Sequence, residues 1–378
     1  MAPAFGKSRR PAAADVHRIV INGRFLSQAV TGVQRFSREV VRALDDLIER
    51  DEIDRRQYQL SLAVPSGFDP DLVPRHIPIR VVGSTRGQLW EQVSLAAYEP
   101  SALLLSLGNL GPLVRSHQVV VIHDASVFAV PAAYSFAFRT WYRINIRRLG
   151  SFAARVITPS RFSAAELARY AGIAPDRFTV VHSGADHLDA LEPDHTVFAR
   201  HGIGERPYVL AVSSEAPHKN LVALVRALPL LRQTVPNLDV VSVGGSFPAI
   251  FAGQKDLSEQ IRKVGYTADA ELKALYQRAQ CFVYPSWYEG FGLPPLEAMR
   301  AGCPVVASRA ASLPEICGDA ALYFDPDDPA TLAEAARRLM GDTALRDSMR
   351  AAGQRRAAEF SWRKTAREVF AVLQGVLR

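Results

Sequence analysis

The sequence predicts an α/β protein built as two doubly wound domains, and three observations carry that expectation. Thirteen short apolar, β-branched runs alternate with amphipathic segments of helical period, the pattern of parallel sheets covered on both faces. The runs fall into two sets on either side of a polar stretch, 188–205, that carries Pro193, Gly202 and Gly204. At 378 residues the chain is too long for one ordinary core.

The first set comprises 17–23 (HRIVING), 58–65, 77–83, 102–108, 117–124, 154–160 and 177–184. The second comprises 206–213, 238–245, 261–266, 281–286, 304–309 and 321–326. These place a first Rossmann-like domain over 17–190 and a second over 205–360. Residues 1–16 are positively charged with no apolar run behind them, and read as a disordered leader rather than a signal peptide. The amphipathic stretch 361–378 is expected to form a helix that folds back onto the first domain. The net charge of +7 is scattered and forms no recognised nucleic-acid module, so it points no further than an anionic ligand or a membrane surface. Cys281, Cys303 and Cys317 are odd in number and form no CxxC pair, which suits a reducing compartment, and the apolar contexts of Cys281 and Cys303 suit burial. No apolar run reaches membrane-spanning length.

Open parallel sheets bind ligands at the carboxyl ends of their strands, so chemistry is sought in the loops there, in a cleft between the domains. After 17–23, NGRFLSQAVTGVQRF leads into a helix from about Val33 to Arg50. Thr31 and Gln34 fit a capping box, and Gly32 permits close approach of an anion such as phosphate to the helix start. After 117–124, His123 and Asp124 face the cleft; His123 suits a sugar hydroxyl or phosphate oxygen and, equally, a bond to backbone. After 206–213, SSEAPHKNL puts Lys219 just before a helix starting near Asn220. A lysine there suits a diphosphate, and only six lysines occur in the chain. After 281–286 comes EGFGLPPLE. Pro294 and Pro295 suit a helix's first turn and Gly302 its end, which places Glu297 in that first turn and Glu289 in the loop before it. The amides of Gly290, Phe291, Gly292 and Leu293 can point at an anion. The two carboxylates suit sugar hydroxyls at either end of a larger ligand. Helix-dipole complementation accounts for Glu297 but not for Glu289. The DPD at 325–327 resembles a metal motif, but turn and cap chemistry accounts for it.

With these residues in place, YPSWYEGFGLPPLEAMRAGCPVVAS resembles the signature of glycosyltransferase family 4, retaining enzymes of GT-B fold. ITPSRFSAAELARY, DRFTVVHSGAD, RPYVLAVSSEAPHKNL, VGYTADAELKALYQRA and FSWRKTA extend the likeness from about residue 17 onward. The resemblance implies roles. Glu289 and His123 would contact the donor sugar, Lys219 the diphosphate, and Glu297 the ribose diol. Phe291, Gly292 and Leu293 would offer amides to sugar and phosphate, Gly32 would close over the diphosphate, and Tyr266 with Gly265 would lie beside the base. Many members carry an arginine where this chain has Ser214, so the second diphosphate cation is either absent or supplied by Arg35 or His218. No metal or other cofactor is expected. The implied activity moves a hexose from a nucleoside-diphosphate sugar, with GDP-mannose favoured, to a glycan or lipid-linked acceptor in bacterial polysaccharide assembly. Alternatives are a dTDP-rhamnose or UDP-sugar transferase and epimerase-like chemistry on the same fold. The expected location is the cytoplasm, extending to the inner face of the membrane. For the acceptor side, Arg139, Arg143 and Arg147 recur every four residues with Tyr134, Phe138 and Trp141 on one stripe. That is either a membrane- or acceptor-facing helix or a core helix with a solvated basic face.

Overall fold

The computed structural model describes residues 16–68, 72–213, 216–245 and 260–378, so Ser214 and nearly all of the leader lie outside the described residues. The first sheet contains β1 (His17–Asn22), β2 (Tyr58–Val64), β3 (Ile79–Val81), β4 (Leu103–Ser106), β5 (Gln118–Val121), β6 (Arg155–Thr158) and β7 (Phe178–Val180). The second contains β8 (Tyr208–Val212), β9 (Asp239–Val243), β10 (Ile261–Gly265), β11 (Cys281–Tyr284), β12 (Val305–Ser308) and β13 (Ala321–Phe324). Every one of these strands falls inside a run predicted from the sequence.

Strand order is β3-β2-β1-β4-β5-β6-β7 in one sheet and β10-β9-β8-β11-β12-β13 in the other, with parallel pairing at both centres. Strands β4, β5, β11 and β12 are buried along their whole length, as strands covered by helices on both faces must be. In each sheet the order reverses at one point, between β1 and β4 and between β8 and β11. Loops diverge there and open a crevice at the strand ends.

The helix Gly32–Glu49 buries Phe36, Val40, Leu44 and Leu47 in the first core. Thr31 is its extended N-cap, and Gln34 closes the capping box. The last helix, Trp362–Leu377, belongs to the same core although a second-domain helix, Thr343–Ala358, precedes it. Trp362 meets Phe36 edge-on at 5.9 Å and Phe370 meets Tyr58 at 5.0 Å. The two chain crossings between domains touch each other. Trp362 donates its amide to Asp186 at 2.8 Å, and a Cβ on Gly184 would come 2.2 Å from that same nitrogen. The three cysteines are buried, and burial pushes the Cys281 and Cys317 thiols up to about 12.

Candidate active site

The two reversal points face each other across a cleft of about 570 Å³. From the first sheet come Arg24 after β1, Gly108 and Asn109 after β4, and His123 and Asp124 after β5; Gly32 joins from the start of its helix. From the second come His218 and Lys219 after β8 and the stretch Tyr288–Pro294 after β11.

Lys219 ends a short turn, Pro217–Lys219, directly ahead of the helix Leu221–Thr234. Its ammonium donates to Glu289 at 2.7 Å and to the Tyr284 hydroxyl at 3.4 Å. Burial pushes the Glu289 carboxyl up. The Lys219 charge and hydrogen bond, with hydrogen bonds from Ser286 and Tyr284, outweigh it and hold the group below the usual carboxylate range. The Glu289 carboxyl is therefore ionised, and the pair is largely shielded from water.

The loop after Glu289 is held from behind by its carbonyls. Ser160 and Ser163 donate hydroxyls to the Gly290 carbonyl at 2.6 and 2.9 Å, and Ser312 donates to those of Glu289 and Phe291 at 3.0 and 2.8 Å. The amides from Gly290 to Leu293 meet no protein acceptor among the described residues. Pro294 and Pro295 have no N–H, so the unpaired donors of this helix end are concentrated at Gly292 and Leu293 beside the cleft. Gly292 has φ of +96°, which favours glycine, and a Cβ there would also have to displace the end of the Leu313 side chain. A Cβ on Gly32 would meet nothing within 4 Å. Its value lies in space toward the cleft rather than in packing.

His123 is buried, and its Nε2–H donates to the Leu107 carbonyl at 2.9 Å. Burial depresses its pKa more than that bond and Asp124 restore it, so the ring is neutral. With Nε2 donating, Nδ1 is the acceptor, which suits a ligand hydroxyl. The bond to backbone and the cleft-facing role hold together.

Other expected residues fall elsewhere. Glu297 is the fifth residue of the helix Leu293–Arg300, one place beyond the first turn, because the helix starts only at Leu293. It stands behind the cleft. Its Oε1 lies 3.1 Å from His187 Nε2, and its Oε2 accepts from Tyr276 at 3.2 Å. His187 Nδ1 in turn accepts the Trp362 indole N–H at 3.2 Å, linking this carboxylate to the last helix. Tyr266 is 76% exposed and follows Gly265, whose φ is +78°, outside the cleft lining. Arg35 is spent in a bidentate pair with Asp269 across the domains. Burial and the Lys219 charge hold His218 below the usual imidazole range, so it is neutral with a buried, unpartnered Nδ1. Neither residue stands as a free second cation.

Arg139 and Arg143 do not line the cleft. They donate to the Pro131 and Val127 carbonyls and lie over the Phe136 and Phe128 rings, bracing the helix Phe136–Phe152 against the segment before it. The aromatic stripe on the cleft is Tyr134, Phe138 and Tyr142, whose rings stack at 5.4 and 4.1 Å, rather than one including Trp141. A spacing of four residues signals it in the sequence. Arg24 also escaped sequence reasoning. It is buried against Glu91 at 3.2 Å, and that pairing spans residues no local motif connects. Within the DPD stretch, Asp325 accepts the Asp327 amide at 3.0 Å and Asp327 accepts the Trp287 indole N–H at 2.9 Å, while the neighbouring Asp328 caps the helix Pro329–Gly341.

The family description "Glycosyl transferases group 1" matches residues 194–356, and "Glycosyltransferase Family 4" matches 97–189. The chain belongs to glycosyltransferase family 4. Similar proteins include O-antigen chain mannosyltransferase B of Escherichia coli, 30% identical over 65% of this chain and 66% of that one. A GDP-mannose-dependent α-(1-6)-phosphatidylinositol monomannoside mannosyltransferase of Mycolicibacterium smegmatis is 29% identical over 75% of this chain and 76% of its own length. Matches to some longer Escherichia coli relatives span only 29% of those chains. Sucrose-phosphate synthase from Thermosynechococcus elongatus superposes with a TM-score of 0.74 at 20% identity, covering 96% of this chain and 99% of that one. The fold is GT-B.

Proposed function

We propose that this family-4 protein transfers a hexose from a nucleoside-diphosphate sugar, with GDP-mannose the favoured donor, to a glycan or lipid-linked acceptor in bacterial polysaccharide assembly. The observation that carries the reading is the hydrogen-bonded Lys219–Glu289 pair beside four amides without protein acceptors among the described residues. A diphosphate would draw on Lys219 and those amides. The donor sugar's hydroxyls would take Glu289 and the acceptor nitrogen of His123. The mannosyltransferases among the relatives support the choice of sugar.

In the reaction proposed, the C1–O bond to the diphosphate breaks and a C1–O bond to the acceptor hydroxyl forms on the same face. The hydroxyl proton leaves with the diphosphate. Lys219 and the amides are fixed where negative charge develops, in a site partly closed to water, which is where such groups act most strongly. This assignment needs no metal.

Support for a membrane-side location is the exposure of Phe136 and Ile144 on the helix 136–152 and of Val114 nearby. No helix among the described residues is long and apolar enough to cross a membrane. Co-sedimentation with anionic vesicles should exceed that with neutral ones; equal binding to both would remove this part of the proposal.

The reading is tested by incubating the protein with GDP-mannose and a mannoside acceptor, then resolving the product anomer by NMR. An α-linked product with one GDP per transfer is expected. A β-linked product, or nucleotide release without transfer, would overturn it.

A further inference from the structure

We propose that Asp124 binds the acceptor and selects an uncharged sugar. This rests on the transferase reading and names its acceptor class. Asp124 follows β5, half-buried in the first-domain wall of the cleft. Its Oδ1 accepts the Ser126 amide at 2.7 Å, a local turn that fixes the carboxylate. Its other oxygen has no protein donor among the described residues.

Lys219 and Arg24, which line the cleft, each have a carboxylate partner other than Asp124. Lys219 is paired with Glu289, and Arg24 with Glu91, which Asn22 steadies at 2.6 Å. The acceptor half therefore carries one carboxylate without a counter-charge. Tyr288 points independently to a ligand. The residue is 7% exposed and lines the same cleft; its hydroxyl oxygen faces the Ala125 amide, while its O–H finds no protein acceptor among the described residues. Burial and the nearby Asp124 raise this phenol, so it keeps its proton and remains a donor.

One ligand group satisfies both residues. A sugar hydroxyl donates to Asp124 and accepts from Tyr288. A phosphate or carboxylate accepts but cannot donate, and meets Asp124 with like charge. The stacked rings of Tyr134, Phe138 and Tyr142 form a stiff apolar wall beside this position for the C–H edge of a pyranose. The site also adjoins the reacting end of the donor. A Cβ on Gly290 would lie 2.8 Å from the Asp124 Cβ, so Asp124 abuts the Glu289 loop.

The test uses the full chain, wild type and Asp124→Asn, in two measurements. Saturation-transfer NMR with methyl α-D-mannopyranoside and with mannose 6-phosphate reads acceptor binding directly. The wild type should show the neutral sugar and little of the phosphate, and Asp124→Asn should lose most of the neutral-sugar signal. With GDP-mannose as donor, the KM for the neutral acceptor should rise about tenfold or more, as expected for loss of a hydrogen bond to a charged group. GDP binding should stay within about twofold, with the melting temperature retained. Equal binding of both sugars by wild type, or an unchanged acceptor KM in Asp124→Asn, would overturn the proposal. A parallel loss of GDP binding would also overturn it, because it would assign Asp124 to the donor or to folding. Failure of wild type to bind GDP would instead count against the donor assignment, while the NMR comparison still decides the role of Asp124.

Discussion

The two walls of the cleft are built from the same kind of sheet but hold their charge differently. The second-domain wall presents a cation, a carboxylate bonded to it and a row of backbone amides, all within a continuous loop and the turn beside it. On the first-domain wall, Arg24 is paired with buried Glu91, the histidine is neutral and Asp124 stands without a cation. A wall that concentrates positive potential suits the shared feature of all sugar nucleotides, the diphosphate. A wall of hydroxyl partners and aromatic rings suits what differs between acceptors. Donor chemistry is thus written in two short stretches, 217–219 and 288–294, and acceptor choice is spread over more.

The largest effect that breaks this comparison is expected at Lys219. Lys219→Ala should lower the transfer rate by about 10²- to 10³-fold, the scale of losing one group that stabilises developing charge. It also leaves Glu289 buried without its counter-ion, so melting temperature must be measured beside the rate. Removing the carboxylate instead, Glu289→Gln, should cost about 10- to 100-fold in rate, as for hydrogen bonds to a charged group. Because the folded Glu289 pKa lies below the unfolded value, its contribution is complete above about pH 4.5 and is lost as pH falls through the lowered value. The wild-type rate should therefore hold from neutral pH down to about pH 5 with respect to this group, and the acid limb that Glu289 adds below that range should vanish in Glu289→Gln.

A smaller effect sharpens the contact between the walls. Gly290→Ala brings a Cβ to 2.4 Å from the His123 carbonyl, which must push the two loops apart. Both the rate and the melting temperature should drop, whereas Gly32→Ala, with nothing within 4 Å, should retain the melting temperature. The smallest effect is expected far from the cleft. Glu52 bonds Arg363 and Arg367 on the last helix, and those bonds hold its carboxyl at about 2. Its stabilisation is present above the unfolded carboxylate value and is lost as pH falls toward about 2. As an exposed cluster, it should yield only a slight, salt-sensitive decrease in melting temperature on Glu52→Gln.

The strands were legible because buried parallel strands are continuous apolar runs, and the glycine and proline punctuation around them is local. Gly32, His123, Lys219, Glu289 and the 291–293 amides share one cleft for the same reason: each lies in the connection between the carboxyl end of a strand and the next helix, or at that helix's start, and the fold gathers strand ends. Glu297 lies one residue beyond the expected first turn because two prolines signal a first turn without fixing which residue begins it. Arg139 and Arg143 looked like a presented basic face because their acceptors, the Val127 and Pro131 carbonyls, are set by the path of the chain before the helix. The Arg24–Glu91 pair and the Trp362–His187–Glu297 chain join residues far apart in sequence, and periodicity carries no record of such contacts.

The most direct measurement is nucleotide binding by thermal shift, comparing GDP, UDP and dTDP on wild type and Lys219→Ala. GDP is expected to raise the wild-type melting temperature most, and the shift is expected to collapse in the variant. A GDP shift that survives loss of Lys219, or no shift from any nucleotide at millimolar concentration, would contradict the donor assignment.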